Sequence, residues 1–167
     1  MPHPSPNGRF DPVTGRFRVR YAANSTAAAA RERFPSRNVT DGDGELWAVG
    51  LSSMPSVLNL THQANLDALG LDDRISTGRI DLGARTDPDS LLDTCGRLAD
   101  AVYDWWEQDP PPLVYHTRSA PDRGRSIAFT QGAAGDVVST GRLADATALH
   151  VHLVLRAGFT VPDRWLS

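Results

Sequence analysis

Apolar and polar positions alternate at period two through Phe17-Arg18-Val19-Arg20-Tyr21-Ala22, which predicts a half-buried strand. Asn24 and Ser25 follow as good helix caps, and the run Ala27 to Ala30 predicts a helix that Pro35 stops. Residues 45–51 and 56–60 read as two further strands, with Pro55 between them marking a turn or an edge. Thr61 is placed to cap a short helix ending near Gly70. Asp87-Pro88-Asp89 opens the longest expected helix, in which Leu91, Leu92, Cys95, Leu98, Val102 and Trp105 recur at helical spacing until Pro110-Pro111-Pro112. Trp105 and Trp106 are expected as core and cover of that helix. After it, residues 113–117, 126–130, a weak segment at 136–138 and a final pattern over 149–155 read as strands.

This mixed order of strands and helices argues for an α+β fold and against a regular parallel α/β array, and no internal repeat is visible. Residues 1–8 are Pro-rich and expected to be a flexible N-terminal segment, with a turn at Asp11-Pro12-Val13-Thr14-Gly15 and a single domain over residues 9–167. A chain of 167 residues suits one domain and buries enough surface for a core without staples.

Composition narrows the chemistry. Acidic residues outnumber basic ones by 20 to 17, so no global field favours a nucleic-acid backbone, and direct nucleic-acid binding is not expected. Every one of those basic residues is Arg, which removes lysine Schiff-base chemistry and leaves the side chain best shaped for bidentate phosphate contacts. Cys95 is the single cysteine, so no intrachain disulfide forms and the chain reads as cytoplasmic, with Cys95 a small core residue. No apolar run approaches the length of a membrane span.

Three pieces suggest a nucleotide ligand. Asn7-Gly8-Arg9-Phe10 offers a cation for phosphates, Tyr21 a ring for stacking, and Glu32, eleven residues after Tyr21, a carboxylate for a ribose. Tyr115-His116-Thr117-Arg118 adds a hydroxyl and a second cation. Each has a plainer reading when taken alone: Glu32 between Arg31 and Arg33 is a solvated helix-end acid, Arg9 a turn residue, Tyr21 a core aromatic with a wet tip, Thr117 a strand residue.

Taken in order, Gly8-Arg9-Phe10, Tyr21-Ala22-Ala23 with Glu32, Val57-Leu58-Asn59-Leu60-Thr61, Leu69-Gly70-Leu71, the long helix, Leu113 to Arg118, Gly124 and Ile127-Ala128-Phe129 resemble the RES domain. RES domains are the toxin half of bacterial Xre/RES toxin-antitoxin pairs. The resemblance spans about residues 8–130 and implies an ADP-ribosyltransferase-like mixed β-sheet core with flanking helices. It implies NAD as substrate, cleavage of the nicotinamide glycosidic bond, inorganic phosphate as co-substrate and no metal. Arg9 and Glu32 then fall on catalytic positions, and Arg9, Tyr21, Glu32, Thr117 and Arg118 on the NAD site, Arg118 being the weaker of the two cations. Other family members modify a protein, and a non-catalytic RES-like module binding a nucleotide or a partner is the third reading.

By the same analogy an Xre-type helix-turn-helix antitoxin is the partner and contacts DNA in place of this chain, while a homo-oligomer stays open. Family members carry a longer segment, with a further arginine, before the Gly-Arg pair, so an abbreviated or truncated form is expected. Thr117 stands where they usually have serine.

The chemistry of such a site can be argued without the name. Breaking the bond from ribose C1 to nicotinamide builds positive charge on the sugar, which a nearby carboxylate stabilises. Glu32 suits that role, and a planar guanidinium such as that of Arg9 suits a pyrophosphate. A metal-dependent hydrolase is a competing class: His150 and His152 at strand spacing share a face, with His62 or His116 as a further ligand. No HExxH pattern or paired cysteine supports it.

Overall fold

The computed structural model describes residues 8–34, 36–52, 56–78, 90–117, 124–130 and 135–166. Among them the chain forms a mixed α+β structure with five α-helices and two small sheets. The expected opening of the long helix at residues 87–89, Pro35, Pro55 and Arg118 lie outside the described residues.

The larger sheet has the order β1-β5-β4-β3, built from β1 (Arg20–Ala23), β5 (Arg125–Phe129), β4 (Leu113–His116) and β3 (Leu58–Asn59). β1 pairs antiparallel with β5 and β5 antiparallel with β4, whereas β3 runs parallel to β4. The register sets Tyr21 opposite Ala128, and Ala128 opposite Leu113, while Ala23 and Tyr115 both face Ser126. Side chains alternate across a strand, so Leu113, Tyr115, Ser126 and Ala128 share one face with Tyr21. That face carries the first core, in which Leu113, Tyr115 and Ala128 pack with Phe10, Leu60, Leu66, Ile75 and the buried stripe Cys95, Leu98, Ala99 and Val102 of the longest helix.

β1 is shorter than the alternating pattern that announced it. Phe17 stacks on Tyr103 at 4.2 Å instead of entering the ladder. Ser25 then caps α1 (Thr26–Arg33), its hydroxyl accepting from the Ala28 N–H at 3.2 Å. Asn24 fastens the same corner to β5 by exchanging bonds with Arg125 at 2.9 and 3.0 Å.

β2 (Trp47–Leu51) and β6 (Val137–Arg142) form a separate antiparallel ribbon with an irregularity between Gly50 and Leu51. α2 (Gln63–Leu69) closes on Gly70, which takes the left-handed conformation at φ 64° that ends many helices. The first helical residue follows His62; Thr61 instead donates its hydroxyl to the Asn59 side chain at 2.7 Å. α3 (Arg74–Thr77) is a single turn that no sequence period announces. α4 (Leu91–Trp105) starts at Ser90, whose hydroxyl accepts from the Asp93 N–H at 3.1 Å.

Two expectations are corrected. Residues 149–155 are not a strand: they lie within α5 (Thr147–Ala157), which Gly158 ends at φ 68°. A short apolar run does not distinguish a strand from a buried helix. Here His150, Leu153 and Ala157, at helical spacing, turn inward against a second core of Ala30, Phe34, Leu143, Phe159 and Trp165. Trp105 and Trp106 are likewise not core, being 57% and 43% exposed. α4 ends at their position, and the chain turns away through Glu107 and Gln108 before the prolines.

Candidate functional site

The Gly8-Arg9-Phe10 segment is a tight turn closed by Asp11, whose carboxylate accepts from the Gly8 N–H at 2.8 Å. Phe10 is fully buried and meets the Tyr115 ring edge-on at 5.1 Å. The Tyr21 hydroxyl links the turn to β1, accepting from the Phe10 N–H at 2.9 Å and donating to Asp11 at 2.9 Å. Gly8 lies directly on the hydroxyl end of that ring, where a Cβ would overlap it. Although Tyr21 is 39% exposed as a residue, its hydroxyl end is thereby covered. Burial of that hydroxyl, and secondarily the Asp11 carboxylate, hold the phenol protonated well above its ordinary range.

Arg9 is 6% exposed, with its guanidinium 5.5 Å over the face of Tyr115. Nη1 donates to the carbonyls of Ile75 at 2.9 Å and Arg74 at 3.4 Å, and Nη2 to that of Gly78. The side chain therefore closes the C-terminal end of α3, where the Arg74 carbonyl also accepts the Gly78 N–H at 2.8 Å. Nε is buried and has no hydrogen-bond partner among the described residues. The Cys95 thiol, also fully buried, is pushed up to about 11 by burial, against the opposing pull of the Arg9 charge.

Thr117 follows β4 two residues after Tyr115 and is fully buried. Its Oγ1 lies 3.0 Å from the Ser126 hydroxyl, and its N–H donates to Gly124 at 3.0 Å. The preceding N–H, of His116, donates to the buried Ser76 hydroxyl on α3 at 3.1 Å.

Arg9 thus lies against Tyr115, and Tyr21 and Thr117 fall on the same side of the sheet as Tyr115. Glu32 lies on the last turn of α1, half-buried, one turn beyond buried Ala28 on the same side of the helix. α1 packs on β1 and β5, the strands that carry Tyr21 and Ser126. Sequence reasoning missed Asp11, Ser76, Tyr115 and Ser126. Only Tyr115 and Ser126 had a signal, each sitting at a core-facing position of a strand pattern that had been recognised.

A small apolar cleft opens at the other end of this face, between Phe10, Phe17, Val19, Leu113 and Phe129, with a volume of about 20 Å³. That is room for about one water, far below a dinucleotide.

The histidine pair is corrected by the helix. Residues two apart on a helix do not share a face. His150 is fully buried with Nδ1 3.1 Å from the Trp165 carbonyl and Nε2 against that of Leu143, whereas His152 is exposed. Both ring nitrogens of His150 are engaged by backbone oxygens, so the shared metal-binding face expected of a strand does not form. Among the described residues no helix is long and apolar enough to cross a membrane.

Compared with protein-family models, curated proteins and solved structures, the chain matches none.

Proposed function

We propose that this chain is a RES-type, NAD-consuming enzyme with an ADP-ribosyltransferase-like fold. It breaks the bond between ribose C1 and the nicotinamide nitrogen; the bonding pair leaves with nicotinamide, and a phosphate oxygen forms the new bond to C1. The products are nicotinamide and phosphorylated ADP-ribose. The observation that carries this reading is the Gly8-Arg9-Phe10 turn docked on Tyr21, which seats the Arg9 guanidinium over the face of Tyr115. A guanidinium held in place by its neighbours is a fixed cation, the group best shaped to grip a phosphate oxyanion.

In this reading Arg9 holds a phosphate or the pyrophosphate, and Tyr21 gives its ring face to the nicotinamide ribose. Glu32 stabilises the charge that develops on the sugar. Thr117 offers a hydroxyl to a phosphate or ribose oxygen, with Arg118 as a second cation. A helix-turn-helix antitoxin is the partner that restrains the activity, by family analogy.

Purified protein incubated with NAD and phosphate releases nicotinamide, and Glu32→Ala does not. Equal nicotinamide in both would end the reading. The second product separates the variants: phosphorylated ADP-ribose for phosphorolysis, free ADP-ribose for hydrolysis, a labelled protein for transfer.

A non-catalytic RES-like module is the second reading. It is favoured by the engagement of both Nη groups of Arg9 with α3 and by the complete burial of Thr117 against Ser126. Measurable NAD turnover eliminates it.

A further inference from the structure

A continuous run of polar contacts joins Arg9 to Thr117 through a helix that belongs to neither motif. Arg9 holds the carbonyls of Arg74, Ile75 and Gly78, and so fixes α3 from its C-terminal end. From inside that helix Ser76, 1% exposed, accepts the N–H of His116, the residue before Thr117. Thr117 in turn meets Ser126 on the neighbouring strand. The His116 N–H therefore depends on an acceptor outside the sheet, and Ser76 supplies it. The bond is partly screened from solvent, Ser76 itself being buried, so losing it leaves the N–H poorly satisfied.

We propose that Ser76 is a positioning residue: through its hydroxyl, α3 carries the placement of the Arg9 guanidinium to the end of β4, so that Arg9 and Thr117 are set as one unit. This rests on the NAD reading for its catalytic meaning, but the mechanical link stands on the contacts alone. Its consequence is that Arg9 has two duties. It presents charge, and it sets the frame in which the Thr117 hydroxyl sits.

Two measurements test this. The first is amide hydrogen exchange at Thr117, with the α4 amide of Val102 as the control for global opening. Arg9→Met and Ser76→Ala each speed exchange at Thr117 at least tenfold relative to Val102, and the double variant is no faster than either single one. Ser76→Thr, which keeps the hydroxyl, restores the slow rate. Multiplying effects in the double variant, or an unchanged rate in Ser76→Ala, overturn the proposal whether or not the protein consumes NAD.

The second is steady-state kinetics with NAD. Ser76→Ala raises KM about tenfold with a smaller change in kcat, and Ser76→Thr rescues it. Turnover by the wild type with unchanged constants in Ser76→Ala overturns the link. No turnover by the wild type ends the NAD reading, and the exchange data then decide the link alone.

Discussion

The hydroxyl end of the Tyr21 ring occupies the space into which any side chain at Gly8 would project. The smallest such side chain is therefore excluded on steric grounds, and the turn that carries Arg9 is specified by contact with a strand more than ten residues away. Gly8→Ala must push the turn off Tyr21 or displace the ring, with an expected cost of about 1–3 kcal/mol. Denaturant unfolding measures it, and an unchanged midpoint would show that the turn does not dock as described.

Tyr21→Phe keeps the ring and removes the oxygen that joins the Phe10 N–H to Asp11. An expected loss of about 1–2 kcal/mol follows from leaving the Phe10 N–H without its partner. The pH dependence has a definite sign. Because the folded state holds the Tyr21 phenol protonated above its ordinary value of 10.0, that contribution is complete below about pH 10 and falls as pH rises beyond it. Denaturant unfolding across this range checks it: alkaline destabilisation is weaker in Tyr21→Phe.

His150 and His152, adjacent in the sequence pattern, should behave oppositely. His150→Leu removes from a buried site the ring whose two nitrogens face the carbonyls of Trp165 and Leu143, one of them as donor, and costs about 1–3 kcal/mol. His152→Ala, on the exposed side of α5, changes stability by less than about 0.5 kcal/mol. Similar thermal shifts in the two variants would contradict the helical placement.

Glu107 and Gln108 both adopt positive φ, 51° and 74°, where a side chain crowds the backbone. Replacing either by glycine should relieve strain and stabilise the fold by about 0.5–1 kcal/mol, the reverse of what glycine does in a helix. Thermal unfolding of Gln108→Gly is the direct check.

These cases also mark what the sequence could disclose. The long amphipathic helix was legible because Leu92, Cys95, Leu98 and Val102 repeat on one face, and β4 and β5 because β-branched and aromatic residues sit between turn signals. α5 was misread because His150, Val151 and Leu153 form an apolar run whose type is settled only by Trp165 and Leu143, contributed from elsewhere in the chain. α3 was invisible, since one turn cannot display a period. At the candidate site the residue types were legible and their partners were not. The sequence marks Arg9 as a cation, but its binding of the Ile75 and Gly78 carbonyls exists only after long-range packing.

The contacts that seat Arg9 span 65 to 69 residues of chain. Closing a loop of that length is entropically uphill until the core on both sides has formed, so this corner is completed late in folding. During synthesis it cannot assemble before Gly78 has left the ribosome, and an emerging chain carries the motif for a long interval without the geometry.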